Sequence, residues 1–410
     1  MVASRRASRT SKPIQEEPSA AASPSNKRKL KQGAEEAEAA DTKAATGAAK
    51  KPKGRASKAQ KEEEPEPAKA VEDDGAATEA TAGPSAPSAP KKSRRKATAG
   101  GEPDSPAAPS GNDIFAFEGC PKTVDIPNPL SFTDSPRPST SFRIASWNIV
   151  SLKSAEPKGL TRYLEAEDAD LVVLTETKVN EVPSFFQSSR YPHQTWGIGS
   201  TKSYAGIAIL SKIEPLSVQK GLPELADYDS KGRCITVEFE GCYVVGTYCV
   251  NAGEGLKTME AKKKWNHALS AHLAKLDEKK PVIWTGDLNV VIDERDLAKA
   301  SAKWNKSPGY TQIECDQHRA FLEGSFLEGA KPFKDVWREK HPDAVGHFTF
   351  YGWRGQCRIK GIGWRLDSFI VSERAQEHCT KCEIRHEVYG ASDHVPIFAD
   401  FDAKLFQASS

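Results

Sequence analysis

Aromatic side chains are missing from the first 110 residues, which are dominated by Ala, Ser, Pro, Lys and Glu. A segment of that kind cannot bury enough apolar surface to offset the entropy lost on ordering, so residues 1–110 are expected to be a disordered, basic tail. The same shortage holds the hydrophobic content of the 410 residues to 38%, below the usual globular share. Long apolar runs are absent too, as are a secretory signal and any internal repeat. No membrane partner is expected. The eight cysteines (Cys120, Cys234, Cys242, Cys249, Cys315, Cys357, Cys379 and Cys382) are expected to be free thiols in a reducing compartment.

Charge divides the chain in the same way. Residues 1–100 carry a net +7 and the remainder −5. A mildly acidic globular part does not announce nucleic-acid binding, so such a claim has to come from a local patch or a site. Basic clusters at 26–29, 50–53 and 91–96 suit nuclear import and non-specific attraction to phosphate backbones. The expected location is nuclear. The Arg- and Ser-rich first thirteen residues faintly resemble a mitochondrial presequence, which makes mitochondrial import the alternative. Cys379 and Cys382 form a C-x-x-C, but a zinc site needs a second pair of ligands, and His378 and His386 give no familiar spacing. The pair therefore reads as structural.

Residues 111–140 are a Pro-rich lead-in, and the folded domain is expected over 141–405. Strands are expected at 142–148, 171–174, 206–210, 233–239, 243–248, 281–284, 366–371 and 396–401. Helices are expected at 160–167, 259–276 and 319–327, the second carrying Trp265, Leu269, His272 and Leu273 on one face. Many strands with a few interleaved helices suggest two sheets packed face to face and covered by helices.

Several of these strands end in polar residues. The first ends at Asn148 and the next at Thr175-Glu176; 281–284 delivers Asp287 and Asn289, Asp367 opens another strand, and Asp393-His394 precedes the last. Strand ends on one rim would gather four or five carboxylates, two Asn and one His. Crowded carboxylates repel one another and call for a hard divalent cation with oxygen ligands, such as magnesium, with Glu176 the first candidate ligand. A metal held this way can neutralise a phosphodiester and its leaving oxygen. Singly, each motif is a common turn; a lone Gly-Asp-x-Asn is usually an Asx turn. Their joint occurrence gives the signal.

The motifs SWNI, TETK, TYCVNAG, GDLNV, GWRLDSF and ASDHVPI, in that order from 142 to 401, resemble the exonuclease III class of apurinic/apyrimidinic endonucleases, in the endonuclease/exonuclease/phosphatase superfamily. The resemblance implies a DNase I-like four-layered α/β sandwich and hydrolysis of the phosphodiester 5′ to abasic sites in duplex DNA, as in base-excision repair, with 3′-phosphodiesterase and 3′–5′ exonuclease activity beside it. It implies Mg2+, with Mn2+ as a substitute, at Glu176, Asn148, Asp393, Asp287 and Asn289. By the same resemblance Asp287 orients or deprotonates the attacking water, Asn289 holds it in line, and His394, oriented by Asp367, binds the scissile phosphate. Tyr248 contacts the phosphate or supports the leaving 3′ oxygen. Duplex DNA with abasic sites or blocked 3′ ends is the implied partner, repair proteins are expected on the N-terminal tail, and the chain is expected to be a monomer.

Phe350, Trp364 and Leu366 match the class's small hydrophobic pocket, which a base-less flipped sugar fits and an intact base does not. Lys153, Tyr204, Asn251, Lys303, Asn305, Lys306 and Arg354 are the implied DNA contacts. Three positions depart from the pattern. Val150 stands where many relatives have Asp or Asn and cannot bind a metal, Thr175 replaces a Gln, and Glu254 replaces an inserting Arg, a cation that Arg354 on another loop would supply. Two other readings are open: a DNA-binding scaffold that has lost its metal site, which Val150 favours, and another phosphodiesterase or phosphatase of the superfamily. The superfamily's inositol phosphatases carry Cys-Asp-Arg where this chain has Trp364-Arg365-Leu366-Asp367.

Overall fold

The computed structural model of the protein describes residues 126–134, 137–184, 190–225 and 231–407. The expected disordered tail, its basic clusters, Cys120 and the first part of the lead-in lie outside the described residues. Among those described, the strands are β1 (Ser141–Asn148), β2 (Leu171–Thr175), β3 (His193–Gly197), β4 (Ile207–Ser211), β5 (Ser217–Lys220), β6 (Cys234–Glu238), β7 (Tyr243–Tyr248), β8 (Val282–Asp287), β9 (Phe333–Asp335), β10 (Asp367–Ser372), β11 (Cys379–Ile384) and β12 (Ile397–Asp402). They form two six-stranded sheets, ordered β11-β12-β1-β2-β4-β3 and β5-β6-β7-β8-β10-β9. Each is mixed: β1 runs parallel to β2 and β7 parallel to β8, and the other pairs are antiparallel.

Strand periodicity sets the layers. Alternate residues point to opposite faces, and here both faces are covered, so the strands read as nearly continuous apolar runs. Ile144, Val173, Ile209, Val244, Ile283 and Phe369 meet in the core between the sheets. Their neighbours Ala145, Trp147, Val172 and Leu174 pack outward against Leu160, Tyr163 and Leu164 of helix Leu160–Glu167. Val245 and Trp284 pack outward against Trp265, Leu269 and Leu273 of helix Met259–Asp277. The result is the expected four-layered α/β sandwich. Gly246 lets the two sheets close, since a Cβ there would stand 2.9 Å from Val173 Cγ1. Among the described residues no helix is long and apolar enough to cross a membrane.

Three expectations change. The helix expected at 319–327 runs instead over Gln312–Glu323. Its start is fixed by Thr311, whose hydroxyl caps Glu314 N–H, and its end by the left-handed Gly324, so Phe326 and Leu327 fall beyond it. β3, β5, β9 and β11 were not expected; β5, for instance, is exposed at all four positions and has no apolar alternation to announce it. The Pro-rich lead-in also contributes to the core: Ile126 and Phe132 are buried, and Arg385 stacks 3.8 Å from the Phe132 ring centroid. Asp134 then joins a largely buried ion cluster with Arg143, Arg385, Glu167 and Asp400 at the start of β1, the end of that strand remote from Asn148. Cys379 and Cys382 are buried free thiols on β11, and burial pushes the Cys379 thiol up to about 12, in keeping with a structural pair.

Candidate active site

Register brings the polar strand ends together. Across the second sheet Tyr248 is paired with Asp287 and Asp287 with Asp367. Across the first, Asn148 is paired with Thr175, next to Glu176. Gly286 makes this possible. Its φ is +136°, and a Cβ there would lie 2.0 Å from the Thr247 carbonyl, so only glycine lets β8 deliver Asp287 beside Tyr248.

Asn148 joins the sheets. Its amide donates to Glu176 Oε1 (2.9 Å) and Asp287 Oδ2 (3.0 Å). Asn289 donates its backbone N–H to Asp287 Oδ1 (3.0 Å) and its side-chain amide to Asp287 Oδ2 (3.2 Å) and the Cys249 carbonyl (3.1 Å). Asp367 Oδ2 lies 2.7 Å from His394 Nδ1 and accepts from Thr349 Oγ1 at 2.7 Å. Behind His394, Trp147 Nε1 donates to its carbonyl, and Ser392 Oγ accepts its N–H while donating to the Asn148 carbonyl. Thr349 and Ser392 thus serve the site without having been singled out; a threonine inside the run Phe348-Thr349-Phe350 gives no sequence signal.

The electrostatics follow from this crowding. Burial, opposed by His394 and reinforced by Asp367 and Glu176, pushes the Asp287 carboxyl up to about 7. Burial and Glu176 raise Asp393 to about 6. Burial also works against a charged His394, but the Asp367 carboxylate outweighs it, and the imidazolium persists up to about 10. Glu176 is likewise opposed by burial, yet Lys178, whose Nζ is 2.9 Å away, and Asn148 hold it below the ordinary range. Burial and Glu176 raise the Tyr248 phenol well above its usual value, so it is a neutral donor.

A hard cation suits this donor set. Asp287 and Asp393 are short of counter-charge, and Asp367 Oδ1 is buried without a hydrogen-bond partner among the described residues. No three His, Cys, Asp or Glu side chains among the described residues converge as a metal cage. The fit is to an ion that keeps several waters and takes one or two carboxylates plus phosphate, as Mg2+ does. The amide oxygens of Asn148 and Asn289 each accept one hydrogen bond, from Val150 N–H (3.0 Å) and Asn251 Nδ2 (2.9 Å), which leaves each a second lone pair.

Val150 is a strained point. Its φ is +58°, in the left-handed region where a β-branched side chain is a steric outlier. Asn tolerates that region, so Val150→Asn is expected to stabilise the fold by about 1 kcal/mol. A raised urea midpoint would show it; an unchanged or lower one would mean that lost packing of the valine matters more.

The three apolar residues implied for the sugar lie close to the Asp367–His394 pair. Phe350 forms isolated bridges with both Trp364 and His394, and its ring centroid is 4.9 Å from that of His394. Leu366 is buried with Val291, Leu297 and Tyr310, and Phe350 and Trp364 pack on that cluster. Of the implied DNA contacts, Lys153, Asn305, Lys306 and Arg354 are exposed. Lys303 Nζ lies 4.9 Å over the Trp364 ring. Tyr204 accepts from Arg233, whose guanidinium also sits 4.5 Å from the Tyr248 ring centroid. Asn251 turns inward to Asn289.

The sequence pattern of the Endonuclease/Exonuclease/phosphatase family matches residues 145–394, a stretch that contains every one of these groups. The chain belongs to that family. It is 36% identical over 257 residues to an exodeoxyribonuclease of Bacillus subtilis, covering 62% of this chain and 98% of the relative. It is 34% identical over 281 residues to a DNA-(apurinic or apyrimidinic site) endonuclease of Dictyostelium discoideum, covering 67% of this chain and 75% of the relative. The solved structure of an AP endonuclease from Archaeoglobus fulgidus superposes with a TM-score of 0.55 at 27% identity, over 64% of this chain and 99% of that one.

Proposed function

We propose that the protein is a divalent-metal-dependent endonuclease that hydrolyses the phosphodiester 5′ to abasic sites in duplex DNA, a step of base-excision repair, and that it also trims blocked 3′ ends. One observation carries the reading. The Asp287–Asn289 pair and the Asp367–His394 pair meet at adjoining strand ends, beside an apolar cluster of Phe350, Trp364 and Leu366 that suits a base-less sugar better than a phosphate. The activities named for the Bacillus and Dictyostelium relatives support DNA as the substrate.

Asp287, pushed up to about 7, orients the attacking water and takes its proton near neutrality. Asn289 and Asn148 hold its carboxylate in place. His394, charged through Asp367, binds the scissile phosphate and stabilises the charge that develops on it. Tyr248, a neutral phenol, donates toward the phosphate or the leaving 3′ oxygen. Mg2+ or Mn2+, held by Glu176 with at most one further carboxylate such as Asp393, would neutralise the phosphate and the departing oxygen. Exposed Lys153, Lys306 and Arg354 supply a local basic footprint on an otherwise acidic domain. The basic clusters at 26–29, 50–53 and 91–96 favour a nuclear destination.

The test offers three substrates to the purified protein: a duplex with one tetrahydrofuran residue, the same duplex undamaged, and an inositol polyphosphate. The tetrahydrofuran duplex is expected to be cut about a hundredfold faster than the undamaged one. Equal rates on both duplexes would make it a general nuclease, and phosphate release from the inositol compound alone would sink the reading.

A further inference from the structure

A buried ion pair stands behind Asn289. Lys262, on the helix Met259–Asp277, and Glu314, in the first turn of the helix Gln312–Glu323, are each 1% exposed, and Lys262 Nζ lies 3.1 Å from Glu314 Oε1. Two charges taken out of water are poor stabilisers in themselves; apolar residues of the same volume would serve a core as well or better. What distinguishes this pair is where its remaining hydrogen bonds go. Lys262 Nζ donates to the carbonyl of Asn289 (2.5 Å). Glu314 accepts the Gly309 N–H with both oxygens (3.0 and 2.9 Å) and the Thr311 hydroxyl (2.8 Å).

Both targets belong to the site. Asn289 has φ +51°, a left-handed backbone that Asn tolerates better than most non-glycine residues. From that backbone it makes two of the hydrogen bonds that fix Asp287. Gly309 closes the loop that carries Lys303, Asn305 and Lys306, and its carbonyl accepts Val291 N–H at 2.9 Å, just beyond Asn289. One ion pair therefore anchors the residue that orients Asp287 and the loop that carries Lys303, Asn305 and Lys306.

We propose that Lys262 and Glu314 are positioning residues for phosphodiester hydrolysis. They touch neither substrate nor metal, and they act by locking the left-handed backbone of Asn289 and tying the 303–309 loop to the same point. The proposal rests on the function proposed above, so its test carries a readout that is independent of activity.

The test compares full-length wild type, Lys262→Arg, and the double variant Lys262→Met with Glu314→Gln, which leaves no charge stranded. Backbone hydrogen exchange at Asn289 and Gly309 is measured beside kcat and KM on the tetrahydrofuran duplex. In the double variant exchange at both amides is expected to quicken and kcat to fall about 10- to 100-fold with KM changed less than about threefold, while Lys262→Arg recovers most of kcat. Unchanged exchange at Asn289, a loss confined to KM, or a lowered melting temperature with wild-type kcat would overturn the proposal. So would a double variant that does not fold, since the pair would then be a stability element. If wild type does not cut the duplex at all, the functional reading fails, and exchange alone decides the positioning.

Discussion

Asp287→Asn is expected to lower the turnover of abasic-duplex incision about a thousandfold while leaving duplex affinity close to wild type. The substitution is isosteric, and an amide cannot accept the proton of the attacking water. It also reverses a set of hydrogen bonds. Asp287 Oδ2 accepts from both Asn148 and Asn289, and Oδ1 accepts the Asn289 N–H, so every near neighbour is a donor. An Asn side chain at 287 must turn its own NH2 toward one of them. Binding is expected to survive because Asp287 is buried and the phosphate contacts proposed above are those of His394 and Tyr248. Single-turnover cutting and equilibrium binding on the same duplex separate the two effects. Retained cutting would remove Asp287 from the chemistry.

His394→Ala is the second large effect, with an expected loss of about a hundred- to a thousandfold in kcat. Asp367 holds the imidazolium charged against burial, and in the proposed mechanism that charge meets the phosphate. The companion change Asp367→Asn keeps a hydrogen bond to the ring but removes the carboxylate's charge. The sign of the pH effect follows. With Asp367 in place the imidazolium persists to about 10; without it, burial is unopposed by its strongest partner and the ring loses its proton at lower pH. The alkaline limb of incision by Asp367→Asn should therefore move toward neutrality. An unmoved limb would mean that the charge of His394 is not what the reaction uses.

Much of this was legible in the sequence because strand ends leave a simple trace. Apolar runs such as Leu171–Thr175 and Val282–Asp287 are buried on both faces, and each stops at a polar residue on the rim. Asn148, Glu176, Asp287, Asn289, Asp367 and His394 could be found in that way, and register then made Asp287 the neighbour of both Tyr248 and Asp367. Other parts left no trace. Thr349 orients Asp367 from within an apolar tripeptide, and Lys262 looks like one of three consecutive lysines on an exposed helix turn until its Nζ is seen buried against Asn289. The strain at Val150 is a backbone property that its residue type argues against. The helix Gln312–Glu323 was misplaced because its start depends on the Thr311 cap, whereas the apolar residues that suggested it run past Gly324.

The most direct test of the central claim maps the ends left by wild-type protein on a duplex with one internally placed tetrahydrofuran residue, with Mg2+ and then with excess chelator. A single cut immediately 5′ of the lesion is expected, leaving a 3′ hydroxyl, abolished by the chelator and restored by Mg2+ or Mn2+. A cut 3′ of the lesion, cutting that persists in chelator, or tight binding with no incision under any metal would contradict it.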